Sequence, residues 1–122
     1  PIALASFQNA STEFTMANDV VFATLNVFGR SGRRGSKGGR GHYGNLCSGL
    51  ILGGQIAGGV VGGLDSNGQA VGLNSKDGST NNPDVDSADT LNAYYKTLMR
   101  LAGVSSERRD VRIPDGKDVA AV

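Results

Sequence analysis

Tryptophan is absent from the 122 residues, and three tyrosines and four phenylalanines make up the whole aromatic complement. Any core must therefore be mainly aliphatic. A single cysteine, Cys47, excludes an intrachain disulfide and a cysteine-based zinc site. Set in NLCSGLIL, it reads as a buried structural thiol rather than a reactive one. The one histidine, His42, leaves Ser11, Thr24, Ser31 and Ser48 without the spaced base and acid that a serine triad requires. Asp65, Asp77, Asp84 and Asp86 lack the alternating spacing and closing glutamate of a calcium loop. No leader is visible, no apolar run is long and glycine-free enough to span a membrane, and no internal repeat appears. The chain opens on Pro1 rather than methionine, which fits a processed or excised piece.

What is abundant is glycine: 19 residues, clustered between Gly29 and Gly78. That density favours tight turns and close backbone approach over long helices in the first half of the chain. The net charge of +1 is uninformative, but its distribution is not. Arg30, Arg33, Arg34, Lys37 and Arg40 fall within eleven residues that hold no acid, leaving the remainder of the chain at −4. A field this local suits a small anion better than a nucleic-acid-coating surface. Long repeated RGG tails carry interleaved aromatics; one short copy between two apolar strands does not make nucleic acid an expected partner.

The chain is organised around Asp19–Tyr43. Val20-Val21-Phe22-Ala23-Thr24-Leu25 is a near-continuous apolar, β-rich run. Such a run predicts a strand over 19–28 buried on both faces, as in a parallel sheet covered by helices. It passes into the glycine-rich cationic loop and then His42, and ligands gather beyond the carboxyl ends of such strands. Before it, residues 1–18 predict a short helix ending near Asn18. After it, Leu50-Ile51-Leu52 predicts a second buried strand stopped by Gly53-Gly54. Asp65-Ser66-Asn67-Gly68 signals a hairpin turn, with Asn67 and Gly68 at positive φ and Val60-Val61 facing Ala70–Leu73.

Residues 74–86 read as polar loop. A helix is predicted from about Ser87 to Ala102, with Asp86 or Ser87 as its cap, Asp89 near its positive end and Gly103 at C′. Leu91, Tyr94, Tyr95, Leu98, Leu101 and Ala102 give it one apolar face. Residues 104–122 read as a tail with a short extended VRIP. Strand, cationic loop, strand, turn and helix make an α/β chain without the repeated βαβ units that build a sheet alone. Residues 1–122 are thus expected to be a single segment, the C-terminal part of a larger domain, completed by the rest of that domain or by another protein chain.

VVFATLNVFGR, GRGHYGN, the short apolar strand, GGQIAGGVVGGLD, LNAYYKTLMRLAGV and the closing DGKDVAAV resemble the C-terminal third of a bacterial family, the domain-of-unknown-function family numbered fifteen hundred and one. The resemblance covers most of residues 14–122. It implies twin-arginine export to a periplasmic or extracellular site. It also implies a fold similar to the alkaline phosphatase and sulfatase superfamily, an α/β/α sandwich with a metal site at the strand ends. The family pattern carries an acid just before FGR and another before the later histidine; here Val27 and Gly41 stand there, and neither ligates through a side chain. His42 then remains as the implied metal ligand, with Asn26 a weak neutral substitute.

Two readings stand for His42, a backbone-bonded loop histidine or a ligand, and two for Arg30, a clamp for phosphate or sulfate or a structural partner of an aspartate. Arg33, Arg34 and Arg40 complete the expected oxyanion loop, although each also reads as a solvated charge. Two functions are carried forward. One is a degenerate sulfatase/phosphatase-like protein serving binding or assembly. The other is an active hydrolase of phosphate or sulfate esters whose divalent metal is completed by residues outside this chain.

Overall fold

The structure is a computed structural model that describes residues 2–25, 29–30, 38–39, 41–43 and 48–122, with Arg30 and Tyr43 described through their backbone. Helix α1 spans Ile2–Glu13 and stops short of the expected Asn18. Thr15 adopts φ 56°, its amide bonds to the Thr12 carbonyl, and the Met16 amide returns to Ser11. These two bonds close the helix with a left-handed C′ residue. The helix buries no residue completely; Phe7 docks it on the sheet, with its ring 5.7 Å from that of Phe22.

Strand β1, Val21–Ala23, pairs antiparallel with β4, Ile51–Gly53, in the register Val21↔Gly53, Phe22↔Leu52, Ala23↔Ile51. Nested inside this pair, β2, Gly29–Arg30, pairs antiparallel with β3, His42–Tyr43. The expectation of a parallel sheet buried on both faces is therefore corrected. Among the described residues the chain pairs twice with itself in antiparallel fashion, as connections that return directly permit. Both strands are half-buried at best, and Phe22 is exposed. The α/β character holds at the level of mixed helix and two-stranded sheet.

Among the described residues the core lies in the second half. Leu73, Val85, Ala93 and Val119 are buried, with Ala121 and Val122 packed against them. The 65–86 segment is drawn tight by side chains that act as turn acceptors. Asp65 Oδ1 accepts the Asn67 and Gln69 amides, Asp77 Oδ1 accepts that of Ser79, and Asp84 accepts both the Ser75 amide and the Ser75 hydroxyl. Leu73 bridges Val85 as a result. At the 65–68 turn only Gly68 takes positive φ, and its amide bonds to the Asp65 carbonyl. The turn is thus a type I turn followed by a left-handed glycine, and the bridge it closes is Leu64↔Ala70, not one from Val60-Val61.

Asp84 yields a prediction. Ser75, through its amide and then its hydroxyl, and to a lesser degree Lys117, hold the Asp84 carboxyl down at about 2 against an ordinary 3.8. A depressed carboxylate adds stability above its unfolded pKa and loses it as pH falls toward the folded value. The chain should lose this contribution between about pH 4 and about pH 2. In Asp84→Asn the urea midpoint should fall less steeply over that window; parallel curves for the two proteins would remove Asp84 from the acid response.

A turn of 3₁₀ helix at Ser87–Asp89 leads into α2, Thr90–Leu101, as expected in position. Neither Asp86 nor Asp89 makes a side-chain cap bond. Gly103 does take the left-handed C′ position at φ 75°, with its amide on Arg100 and that of Val104 on Met99. The face that α2 buries is not the apolar one. Ala93, Lys96 and Thr97 are fully buried, whereas Leu91, Tyr94, Tyr95, Leu98 and Leu101 are half-buried and Ala102 is exposed. The reason is the 116–122 segment, whose irregular backbone needs side-chain partners. Lys96 Nζ donates to the Gly116 carbonyl at 2.7 Å, and Arg100 donates to those of Val119 and Val122. The Val119 amide donates to Thr97 Oγ1.

The expected tail also contains a helix, α3, Ser106–Arg112. Glu107 in its first turn and Arg109 and Arg112 in its last oppose the helix dipole. Lys96 reaches Asp110 on it at 2.6 Å, and Arg109 pairs with Asp118 at 2.7 Å.

Candidate functional site

Two regions compete as a site. The first is the cationic end. Antiparallel pairing of Gly29–Arg30 with His42–Tyr43 makes Arg30 the cross-strand partner of His42. Arg30 and His42 thus belong to an antiparallel pair and not to a parallel sheet. His42 is exposed. Gly38 takes φ 79° and, like Gly39, has open space where a side chain would begin. Asn26, Arg33, Arg34, Lys37, Arg40 and Cys47 lie outside the described residues.

A divalent metal does not fit what is described. No group of three or more histidine, cysteine or acidic side chains converges among the described residues. The residue across the ladder from His42 is an arginine, and the residue before it is a glycine.

The second region was not signalled by motif. A cavity of about 490 Å³ opens between β4, the glycine-rich run that follows it, the exposed side of α2 and the chain's last residues. Leu50, Ile51, Leu73, Leu91, Tyr94 and Val119 supply much of its lining, and its polar side chains are Ser48, Thr90, Tyr94 and Thr97. Among the described residues no acidic or basic side chain lines it. This is the size and polarity of an apolar recognition pocket. Tyr94 fixes one wall: its hydroxyl donates to the Thr24 carbonyl at 2.7 Å, tying α2 to the end of β1 across 70 residues. A side chain on Gly49 would start 2.6 Å from the Tyr94 ring, so the approach of 48–50 to α2 depends on that glycine.

The residues that build this groove were legible only as separate apolar runs. Of the α2 face predicted as core, Leu91 and Tyr94 line the groove, together with Thr97 from the buried side. The rim carries the exposed apolar residues Val60, Val61 and Leu64, at 92%, 39% and 56%. No helix among the described residues is long and apolar enough to cross a membrane.

Compared with known proteins, the chain matches no family model, no curated protein and no solved structure.

Proposed function

We propose that this chain serves binding or assembly: it is a segment whose apolar groove is covered by the rest of its own domain or by another protein chain. The observation that carries the reading is the uncharged cavity of about 490 Å³ with Val60, Val61 and Leu64 exposed at its rim. Contiguous apolar surface of this kind marks an interaction site. Only four hydrophobic residues among those described are buried, so much of the apolar surface of the described residues stays open.

From its resemblance to the domain-of-unknown-function family numbered fifteen hundred and one, we further propose that the chain is part of an exported, sulfatase/phosphatase-like α/β/α sandwich with a degenerate metal site. On that view the protein acts in the periplasm or outside the cell. The cationic loop of Arg30, Arg33, Arg34 and Arg40 is proposed as an accessory contact for a small oxyanion or an acidic surface. Val27 and Gly41, in place of carboxylates, support degeneracy.

The deciding experiment is metal analysis of the purified chain together with p-nitrophenyl phosphate and p-nitrophenyl sulfate assays. We expect no bound divalent metal above background and no turnover that depends on His42. Stoichiometric metal with turnover abolished in His42→Ala would overturn the assignment in favour of an active ester hydrolase. An upstream twin-arginine signal in the complete gene would support export.

A further inference from the structure

Asn67 is the one asparagine of the chain that a glycine follows, and it sits at the tip of the 65–68 turn. It is exposed, and among the described residues its side-chain carboxamide makes no hydrogen bond. Asn74 shows the contrast: its Nδ2 donates to the Asn81 and Asn82 carbonyls and its Oδ1 accepts the Lys76 amide. Gly68 has nothing within 4 Å of where a side chain would begin, so no Cβ shields its main-chain nitrogen. The two Asp-Gly pairs, at 77–78 and 115–116, lack this freedom. A side chain starting at Gly78 would stand 3.0 Å from Val61 Cγ2, and one at Gly116 would stand 2.9 Å from the Asn92 carbonyl oxygen. An ionised carboxylate is also a poorer electrophile than a carboxamide.

We infer that Asn67 is a site of spontaneous modification and that Asp65 sets its rate. The Gly68 main-chain nitrogen, losing its proton, attacks Asn67 Cγ. The new N–Cγ bond forms, the Cγ–Nδ2 bond breaks, and ammonia leaves with a proton. Water then opens the cyclic imide at either carbonyl. The product is an aspartyl residue, or an isoaspartyl one whose main chain runs through Cγ, and water is the only co-reactant. The folded turn opposes ring closure. The Gly68 amide donates to the Asp65 carbonyl at 3.0 Å, and Asp65 Oδ1 holds the amides on either side, Asn67 and Gln69, each at 2.8 Å. The Asp65 charge also disfavours the anion that forms on the nitrogen. An exposed turn opens locally at small cost in free energy, so Asp65 slows the reaction without stopping it.

Both products place a new carboxylate beside Asp65. The isoaspartyl form also adds a methylene to the main chain between the two amides that Asp65 holds. The bonds between Asp65 and Gln69 that close the Leu64↔Ala70 bridge are then lost. Leu64 and Ala70 both line the groove, so its rim loosens as the chain ages. None of this requires an occupant in the groove.

The test ages the full folded chain in mildly alkaline buffer and follows it by peptide mass spectrometry and by enzymatic isoaspartyl methylation. The peptide bearing Asn67 should gain the mass that separates –OH from –NH2 and accept methyl groups, ahead of every other asparagine peptide. Asn67→Gln, whose ring would have to be larger, should do neither there. Asp65→Ala should react roughly tenfold faster, as expected for the loss of about one modest hydrogen bond. Asp65→Asn, which keeps an acceptor oxygen, should fall between the two. Amide exchange at Val119 should be unchanged in both variants, and exchange at Gln69 should quicken in the aged parent. No mass gain at Asn67 in the folded chain overturns the site, as does methyl acceptance that persists undiminished in Asn67→Gln. Equal rates for Asp65→Ala and the parent overturn the role of Asp65.

Discussion

Thr97→Val destabilises the chain by about 1–3 kcal/mol, although it is a near-isosteric change to a more apolar side chain. Thr97 is 1% exposed. Its hydroxyl donates to the Ala93 carbonyl at 2.7 Å and accepts the Val119 amide at 2.9 Å. Valine refills the space, so no cavity forms. It also deletes the acceptor, leaving the amide of Val119, itself 3% exposed, buried without a partner.

The cost of that orphaned donor exceeds the small gain from burying one more methyl, because an unmet buried polar group loses its full hydration. Thr97→Ser keeps the hydroxyl and should cost only about 1 kcal/mol through the lost methyl. Urea unfolding of the three proteins measures both effects. Amide exchange at Val119 should accelerate in Thr97→Val alone. A valine variant as stable as the parent would show that the 116–122 segment is not held through this hydroxyl.

Gly72→Ala should have an effect of similar size for an opposite reason, too much matter rather than a missing bond. A side chain beginning at Gly72 would stand 2.7 Å from the Val85 carbonyl oxygen and 3.0 Å from Pro83 Cβ. The same Val85 oxygen accepts the Leu73 amide at 3.0 Å, so the backbone cannot retreat without breaking the bridge that joins two of the four core residues. Overpacking of this kind costs about 1–3 kcal/mol. Gly58→Ala is the control. Open space surrounds that position, and the smaller unfolded-state entropy should leave it neutral or stabilised by up to about 1 kcal/mol. Equal unfolding midpoints for the two variants would mean that the Gly72–Val85 approach is looser than described.

The sequence by itself determined where the elements fall. The helix at 90–101, its glycine stop at Gly103, the strands around Val21–Ala23 and Ile51–Gly53, and the turn at 65–68 follow from local propensity, capping and turn chemistry. These act within a few residues and leave a mark in composition. The gathering of cations at 30–40 is equally a property of the chain.

Only the tertiary structure decided what those elements bury. The apolar stripe Leu91, Tyr94, Leu98 reads as core at helical spacing, yet α2 buries Ala93, Lys96 and Thr97. The carbonyls and amide it satisfies belong to residues 116–122, some twenty positions away. A helix's pattern records which side chains are apolar, not which backbone will need donors from it. Strand direction was hidden for the same reason: Val21–Ala23 suits a parallel or an antiparallel ladder, and the return of Ile51–Gly53 against it chose. The groove exists because these choices leave Leu91 and Tyr94 of α2 and the glycine-rich run at 57–63 lining one cavity among the described residues. That vacancy is a property of packing, not of any residue.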